Sequence, residues 1–444
     1  LNRFMVSSWH NTVERTRFCH TYQRSLHTLS SFLSACYDAR MTVEERVDEV
    51  LSRSVAEFID PDGAFRKKLI AKAKGEYQKD IVIKLGADPT RPDIHLGHAV
   101  ILRTMRAFQD LGCKVIFLVG DFTAQIGDPT GKSKVRPEIA QEAVERNMRT
   151  YIDQVGKILT VTVDANGHIL HTPLFSWNRN SDWFVGVQDV IAGDGTNVTV
   201  TGDNGMSLQI PGNSFAGKAL LYESTRMQKS ELGKSEIEGI TLINLFSALR
   251  QVTFAQLIER DMFQDRITSG ESLYMHEMLY PVIQGLDSVV LARIYGSCDL
   301  EMGGTDQTFN MLMGRRLMTS AGQDPQAVMS MKLLVGTDGK EKMSKSLDNY
   351  VGITDTPNDM FGKIMSIPDS AIEEYFTLAT YQSVAATKAL MDSIRAGANP
   401  RDAKLELARQ IVEIYHGKQS ADEAKAAFLS TFSGGGIPTD VPEV

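Results

Sequence analysis

IVIKLGADPTRPDIHLGHAVILRTMRAFQDLGCKVIFLVG, residues 81 to 120, is the stretch that decides the fold. IVIKLGA (81–87) is strand-like, and AVILRTMRAFQDLG carries helical apolar spacing with Gly112 at the place of a C-terminal cap. KVIFLVG (114–120) is a continuous apolar run of the kind found in buried parallel strands. Strand, helix and strand in about forty residues make a βαβ unit. The expected class is therefore α/β: a doubly wound, parallel-sheet (Rossmann-like) catalytic domain.

Working outward, MTVEERVDEVLSRSVAEFI from Met41 reads as a helix. Before it, Arg3, Arg15, Arg17, Arg24 and Arg40 face only Glu14 and Asp38. Two readings of residues 1–40 stand side by side: an organellar transit peptide, or a start site belonging at Met41. Between 160 and 235 the turns DANG, GDGTN, GDNG and PGN separate β-prone runs such as NVTVTG and MSLQIPG, the pattern of a β-rich insertion of short hairpins. After Gly352 only helical patterns follow, until a Gly- and Pro-containing tail. The expected division is an extension (1–40), a catalytic domain (41–352) carrying the insertion, an all-helical domain (353–432) and a linker (433–444).

Composition narrows the class. A chain of 444 residues, 42% hydrophobic and 23% charged, is globular, not disordered or collagen-like. No uncharged apolar run reaches membrane-spanning length, so no membrane role is expected. Cys19, Cys36, Cys113 and Cys298 form no CxxC pair and no zinc spacing, so reduced thiols and no bound structural metal are expected. A net charge of −8 leaves any nucleic-acid binding to a local basic stripe.

Two motifs carry chemistry. In His95-Leu96-Gly97-His98, just after the first strand, Gly97 allows backbone to approach a nucleotide at a helix N-terminus, where free N–H groups and the dipole favour phosphate. The two imidazoles can hydrogen-bond to ATP oxygens. In Lys342-Met343-Ser344-Lys345-Ser346, two lysines on a small, polar loop can close on a triphosphate and neutralise the departing pyrophosphate. Alone, histidines at i and i+3 more often pack or face solvent, and a KMSKS string can be a solvated loop. In this order, with a βαβ unit around the first, the pair resembles the class I aminoacyl-tRNA synthetases, whose signatures take the forms HIGH and KMSKS.

Four further stretches are similar to tyrosyl-tRNA synthetases of bacterial type: LGADPTRPDIHLGH (85–98), VGDFTAQIGDPTGK (119–132), YPVIQGLDSV (280–289) and GGTDQTFN (303–310). The resemblance implies a tyrosine-tRNA ligase (EC 6.1.1.1) that uses ATP with Mg²⁺, charges tRNA(Tyr), works as a homodimer and resides in the cytoplasm, or in an organelle if 1–40 is a transit peptide. It implies that Asp128, Tyr280 and Gln284 bind the substrate α-amino group, that Gln307 steers its carboxylate and that Asp287 accepts the phenolic hydroxyl. Residues 280, 284 and 287 share one helix face, which suits a common cavity; Pro281 would be a kink or first-turn residue. Asp287 could also simply cap that helix. Gly303, Gly304 and Asp306 would receive the ribose, while Thr305 reads as a helix N-cap. Thr90 and His95 would contact the outer phosphates and His98 the ribose side. Lys342, Lys345 and Ser346 would complete the ATP site.

One departure stands out: the family often has a tyrosine where this chain has Lys84, so phenol recognition rests on Asp287 and a second hydroxyl contact is left open. Related bacterial enzymes continue beyond this chain's last residues into a small RNA-binding domain, so weak tRNA charging with normal adenylate formation is expected. Two other functions share parts of this pattern. A tryptophanyl-tRNA synthetase has the same signatures, but an indole has no hydroxyl to match Asp287. A non-catalytic RNA-binding helper would not need both histidines and both lysines.

Overall fold

The computed structural model describes residues 41–129, 139, 141–184, 190–192, 197–201, 207–211, 240 and 242–433. The extension 1–40, the tail from 434 and parts of the expected insertion lie outside the described residues.

The strands are β1 (Val55–Ile59), β2 (Val82–Ala87), β3 (Lys114–Val119), β4 (Thr162–Val163), β5 (Ile169–Leu170), β6 (Phe175–Arg179), β7 (Val190–Ala192), β8 (Asn197–Thr201), β9 (Ser207–Pro211), β10 (Leu300–Gly304) and β11 (Ala327–Met331). Six of them form the central sheet in the order β1-β11-β10-β2-β3-β6, parallel throughout except for β1 against β11. From β2 the chain winds outward through β3 and β6, then returns to build β10 and β11 on the other side. The order thus reverses between β2 and β10. In a doubly wound sheet, that switch point opens a crevice beyond the strands' carboxyl ends.

Alternation along the strands sorts the core into two layers. Ile83, Leu85, Val115 and Phe117 pack with Leu102, Met105 and Phe108 of the Leu96–Asp110 helix. Val82, Ile116 and Leu118 pack on the other face with Val290 and Leu291 of the Met275–Tyr295 helix. Each such fully buried side chain contributes about 1.5–3 kcal/mol. Gly112 adopts φ +82° just after the Leu96–Asp110 helix, the left-handed conformation expected of its cap.

Four expectations need correction. The helix from Met41 ends at Ser52, capped at its start by Thr42 and Glu45; Ser54 turns to φ 61° and VAEFI becomes edge strand β1. Pairing with β11 overrides the local helical pattern there. The segment FSWNR, assigned to the insertion, is β6, with Val115 opposite Phe175 and Val119 opposite Arg179. Its Phe175 is wholly buried, so the sheet claims it. The strands read from NVTVTG and MSLQIPG do pair, as β8 and β9 of a three-stranded antiparallel sheet with β7. Thr305 is not a helix cap: it opens a 3-10 turn, Thr305–Gln307, and the helix starts at Thr308 with Gln307 at its cap. Pro281 lies well inside the Met275–Tyr295 helix and not in its first turn.

Beyond Gly352 the described elements are helical, from Pro357 to Ser433. They are tied to the sheet domain by Arg103, which donates to the carbonyls of Leu378 (3.0 Å) and Thr380 and stacks on Tyr381.

Candidate active site

At the switch point lies a cavity of about 330 Å³ whose walls come from the carboxyl ends of β2, β3, β6 and β10. Thr90, His95, Gly97, His98, Asp128, Tyr280, Gln284, Asp287, Gly303, Gly304, Asp306, Gln307, Lys342 and Lys345 all line it. Of the expected site residues, Ser346 alone is not among them. It falls in the turn Lys345–Leu347, and its side chain lies outside the described residues.

The two signature motifs meet through backbone. Leu96 N–H donates to Val351 (3.0 Å) and Ile353 N–H to Ile94 (3.0 Å), so the histidine loop pairs with the segment just after the lysine loop. A Cβ on Gly97 would come within 3.0 Å of the His95 ring and 3.7 Å of Met343 Cβ, so glycine permits this approach.

Both histidines are neutral near pH 7. Burial pushes His98 down to about 3, with Lys345 adding to the effect, and burial, His98 and Lys345 hold His95 well below its usual range. His98 Nδ1 accepts the backbone N–H of His95 (3.4 Å), so the proton sits on Nε2, free to donate. His95 Nδ1 is buried with no hydrogen-bond partner among the described residues.

The lysines differ. Lys342 is half-exposed and pairs with Asp306 (2.7 Å). Lys345 is buried, donates to Tyr151 Oη (2.8 Å) and the Arg91 carbonyl (3.2 Å), and burial lowers it to about 8 despite the opposing pull of Asp93.

At the other end carboxylates accept from a phenol, an amide and an indole. Tyr280 Oη donates to Asp88 (2.8 Å), whose second oxygen accepts from Thr123 (2.7 Å). Gln307 donates to Asp128 at 2.6 Å. Asp287 receives Trp183 Nε1–H at 2.9 Å and Asn180 Nδ2–H at 3.5 Å. Burial pushes Asp287 up to about 7, against the downward pull of Lys84 and these two donors. Lys84 does not line the cavity and is engaged with Glu301 and Ser288, and the side chains that hydrogen-bond Asp287 are Asn180 and Trp183.

Sequence reasoning missed Asp88, Thr123, Asn180 and Trp183. The signal was there in part: Asp88 sits inside LGADPTRPDIHLGH, and NSDW follows β6 at its carboxyl end, where site residues collect. Reading 175–184 as part of an insertion hid the second.

A crevice of this kind, with histidines and lysines at one end and carboxylates and amides at the other, suits a nucleotide-dependent ligase, and the family match identifies its class as the class I synthetases. The family model described as tRNA synthetases class I (W and Y) matches residues 76–184 and 219–433, and its gap falls within the expected insertion. Curated relatives include the tyrosine–tRNA ligases of Mannheimia succiniciproducens, 40% identical over 89% of this chain and 79% of the relative, and Francisella tularensis, 39% over 88% and 80%. Among solved structures, the C-terminally truncated mitochondrial tyrosyl-tRNA synthetase of Aspergillus nidulans shares the fold with a TM-score of 0.57 and 17% identity, covering 93% of this chain and 99% of that one. The chain belongs to the tyrosine–tRNA ligase family.

Proposed function

We propose that this cavity activates L-tyrosine with ATP and then passes the tyrosyl group to the 3′ end of tRNA(Tyr). The observation that carries the reading is the opposed polarity of one cavity: His95, His98, Lys342 and Lys345 at one end, and Asp128, Tyr280, Gln284 and Asp287 at the other.

Tyrosine's carboxylate is already ionised at neutral pH, so its attack on the α-phosphate needs no general base. A carboxylate oxygen bonds to phosphorus while the bond to pyrophosphate breaks, and the protein's work is positioning and charge stabilisation. Asp128, Tyr280 and Gln284 take the ammonium, Gln307 the carboxylate and Asp287 the phenol. Gly303, Gly304 and Asp306 accept the ribose; a Cβ on Gly304 would collide with Asp306 Oδ1 at 2.6 Å. Thr90 and neutral His95 donate to the outer phosphates, His98 acts on the ribose side through Nε2–H, and Lys342 and Lys345 draw the pyrophosphate. In the second step the tRNA ribose hydroxyl attacks the carbonyl carbon and AMP leaves.

Mg²⁺ enters with the triphosphate as part of the substrate. Among the described residues no cluster of three or more His, Cys, Asp or Glu is arranged to hold a metal, and Mg²⁺ commonly rides on phosphates with few protein ligands. The helices from Pro357 to Ser433 face the tRNA on the anticodon side, and the working form is a cytoplasmic homodimer. No helix among the described residues is long and apolar enough to cross a membrane.

ATP–pyrophosphate exchange with tyrosine, phenylalanine and tryptophan tests the reading. Exchange with tyrosine alone is expected; equal exchange with tryptophan would refute the assignment of Asp287.

A further inference from the structure

The cavity wall behind Gln284 contains a buried ion pair. Lys84 on β2 and Glu301 on β10 are register neighbours, both wholly buried, with Nζ and Oε1 3.2 Å apart. Burial pushes the Lys84 ammonium down, but Glu301 and Asp287 outweigh it and leave it above the usual lysine range. Such a pair is a poor source of stability, since apolar residues of like volume often do as well. Its effect lies in the amides attached to it.

An ionised carboxylate only accepts hydrogen bonds. Gln284 therefore turns Nε2 toward Glu301 (3.0 Å), and its Oε1 accepts from Asn310 Nδ2 (3.0 Å). The same Asn310 nitrogen gives its second hydrogen to Gln307 Oε1 (3.0 Å), which turns Gln307 Nε2 toward Asp128 (2.6 Å). Both ends of this line, Glu301 and Asp128, are acceptors. Only one orientation of the three amides satisfies it, with Asn310 as the point where polarity inverts. The cost is visible: Asn310 Oδ1 is buried without a partner among the described residues.

We propose that Glu301, paired with Lys84, and Asn310 are positioning residues of the amino-acid subsite. They make Gln284 present its oxygen to the substrate ammonium and Gln307 its N–H to the substrate carboxylate. The inference rests on the proposed tyrosine site, which it deepens.

The test is steady-state pyrophosphate exchange on the full chain, with thermal melts alongside. Asn310→Asp replaces the double donor by an acceptor, so both glutamine oxygens lose their donor and face a carboxylate, and neither amide is held in its present orientation. KM for tyrosine is expected to rise about 10- to 100-fold, with KM for ATP and kcat changing about twofold or less. Glu301→Gln frees the Gln284 amide and should give a smaller rise of the same kind. If either variant fails to fold, the double variant Lys84→Met/Glu301→Met removes the anchor with packing retained, and the same KM split is expected. A parallel loss of kcat, both KM values and melting temperature would overturn the proposal. Gln284→Ala separates the two levels: if it leaves KM for tyrosine unchanged, the proposed tyrosine site itself is wrong; if it raises KM while the Asn310 and Glu301 variants do not, only the positioning line fails.

Discussion

Replacing Trp183 by Phe removes a single N–H from the phenol end of the cavity. That group donates to Asp287 Oδ1 at 2.9 Å from a side chain with 0% exposure, so no water stands ready to replace it. A hydrogen bond to a charged group is worth about 1.5–3 kcal/mol, and 1.36 kcal/mol corresponds to about one pKa unit. Asp287, already pushed up to about 7 by burial, should therefore rise by about one to two units. Near pH 7 its ionised fraction falls from about one half to between about a tenth and a hundredth. If the ionised carboxylate accepts the phenolic proton, tyrosine affinity near neutral pH drops about 5- to 50-fold and recovers as pH rises toward 8.5. Equilibrium dialysis of labelled tyrosine without ATP, from pH 6 to 8.5, measures this with the phosphate-end groups idle. Wild-type binding should strengthen through about pH 7, with the limb displaced upward in the variant. An unshifted limb, or a loss of affinity equal at every pH, would refute the argument.

Lys345→Ala should slow adenylate formation by about 2.7–4 kcal/mol in barrier while leaving the tyrosine Kd near wild type, as pre-steady-state pyrophosphate release would show. In the wild type, Lys345 is lowered to about 8, so its positive charge is present below that pH and lost above it. kcat/KM for ATP should accordingly fall on the alkaline side, and the fall should vanish in the variant. Asp287→Ala should collapse the preference for tyrosine over phenylalanine in exchange assays, because the hydroxyl then enters a buried site with no acceptor, at a cost of about 1–3 kcal/mol. Arg103→Met should destabilise the chain by about 1–3 kcal/mol in denaturant titrations, since it strands the Leu378 carbonyl between the sheet domain and the helices, while the Thr380 carbonyl keeps Arg53 as its donor (3.2 Å).

The sequence by itself determined the βαβ start, the two nucleotide motifs and about half of the residues that line the cavity. Those rest on local facts: apolar period, glycine placement, and strings of residue types with one chemical use. It could also say that 280, 284 and 287 share a face, because helix geometry alone requires it. Tertiary structure decided the rest. Whether VAEFI and FSWNR were strands depended on partners far along the chain, Met331 for Val55 and Val115 for Phe175. Lys84 reads in sequence as a substitution at the phenol site, yet its side chain lies on the sheet face toward Glu301 and Ser288. The alternation that sends it there is local, but the carboxylate that holds it is 217 positions away on the neighbouring strand. Trp183 and Asn180 join Asp287 only when β6 enters the sheet beside β3. Hydrogen-bond direction and burial are properties of the assembled walls, and no window of sequence contains both sides of a wall.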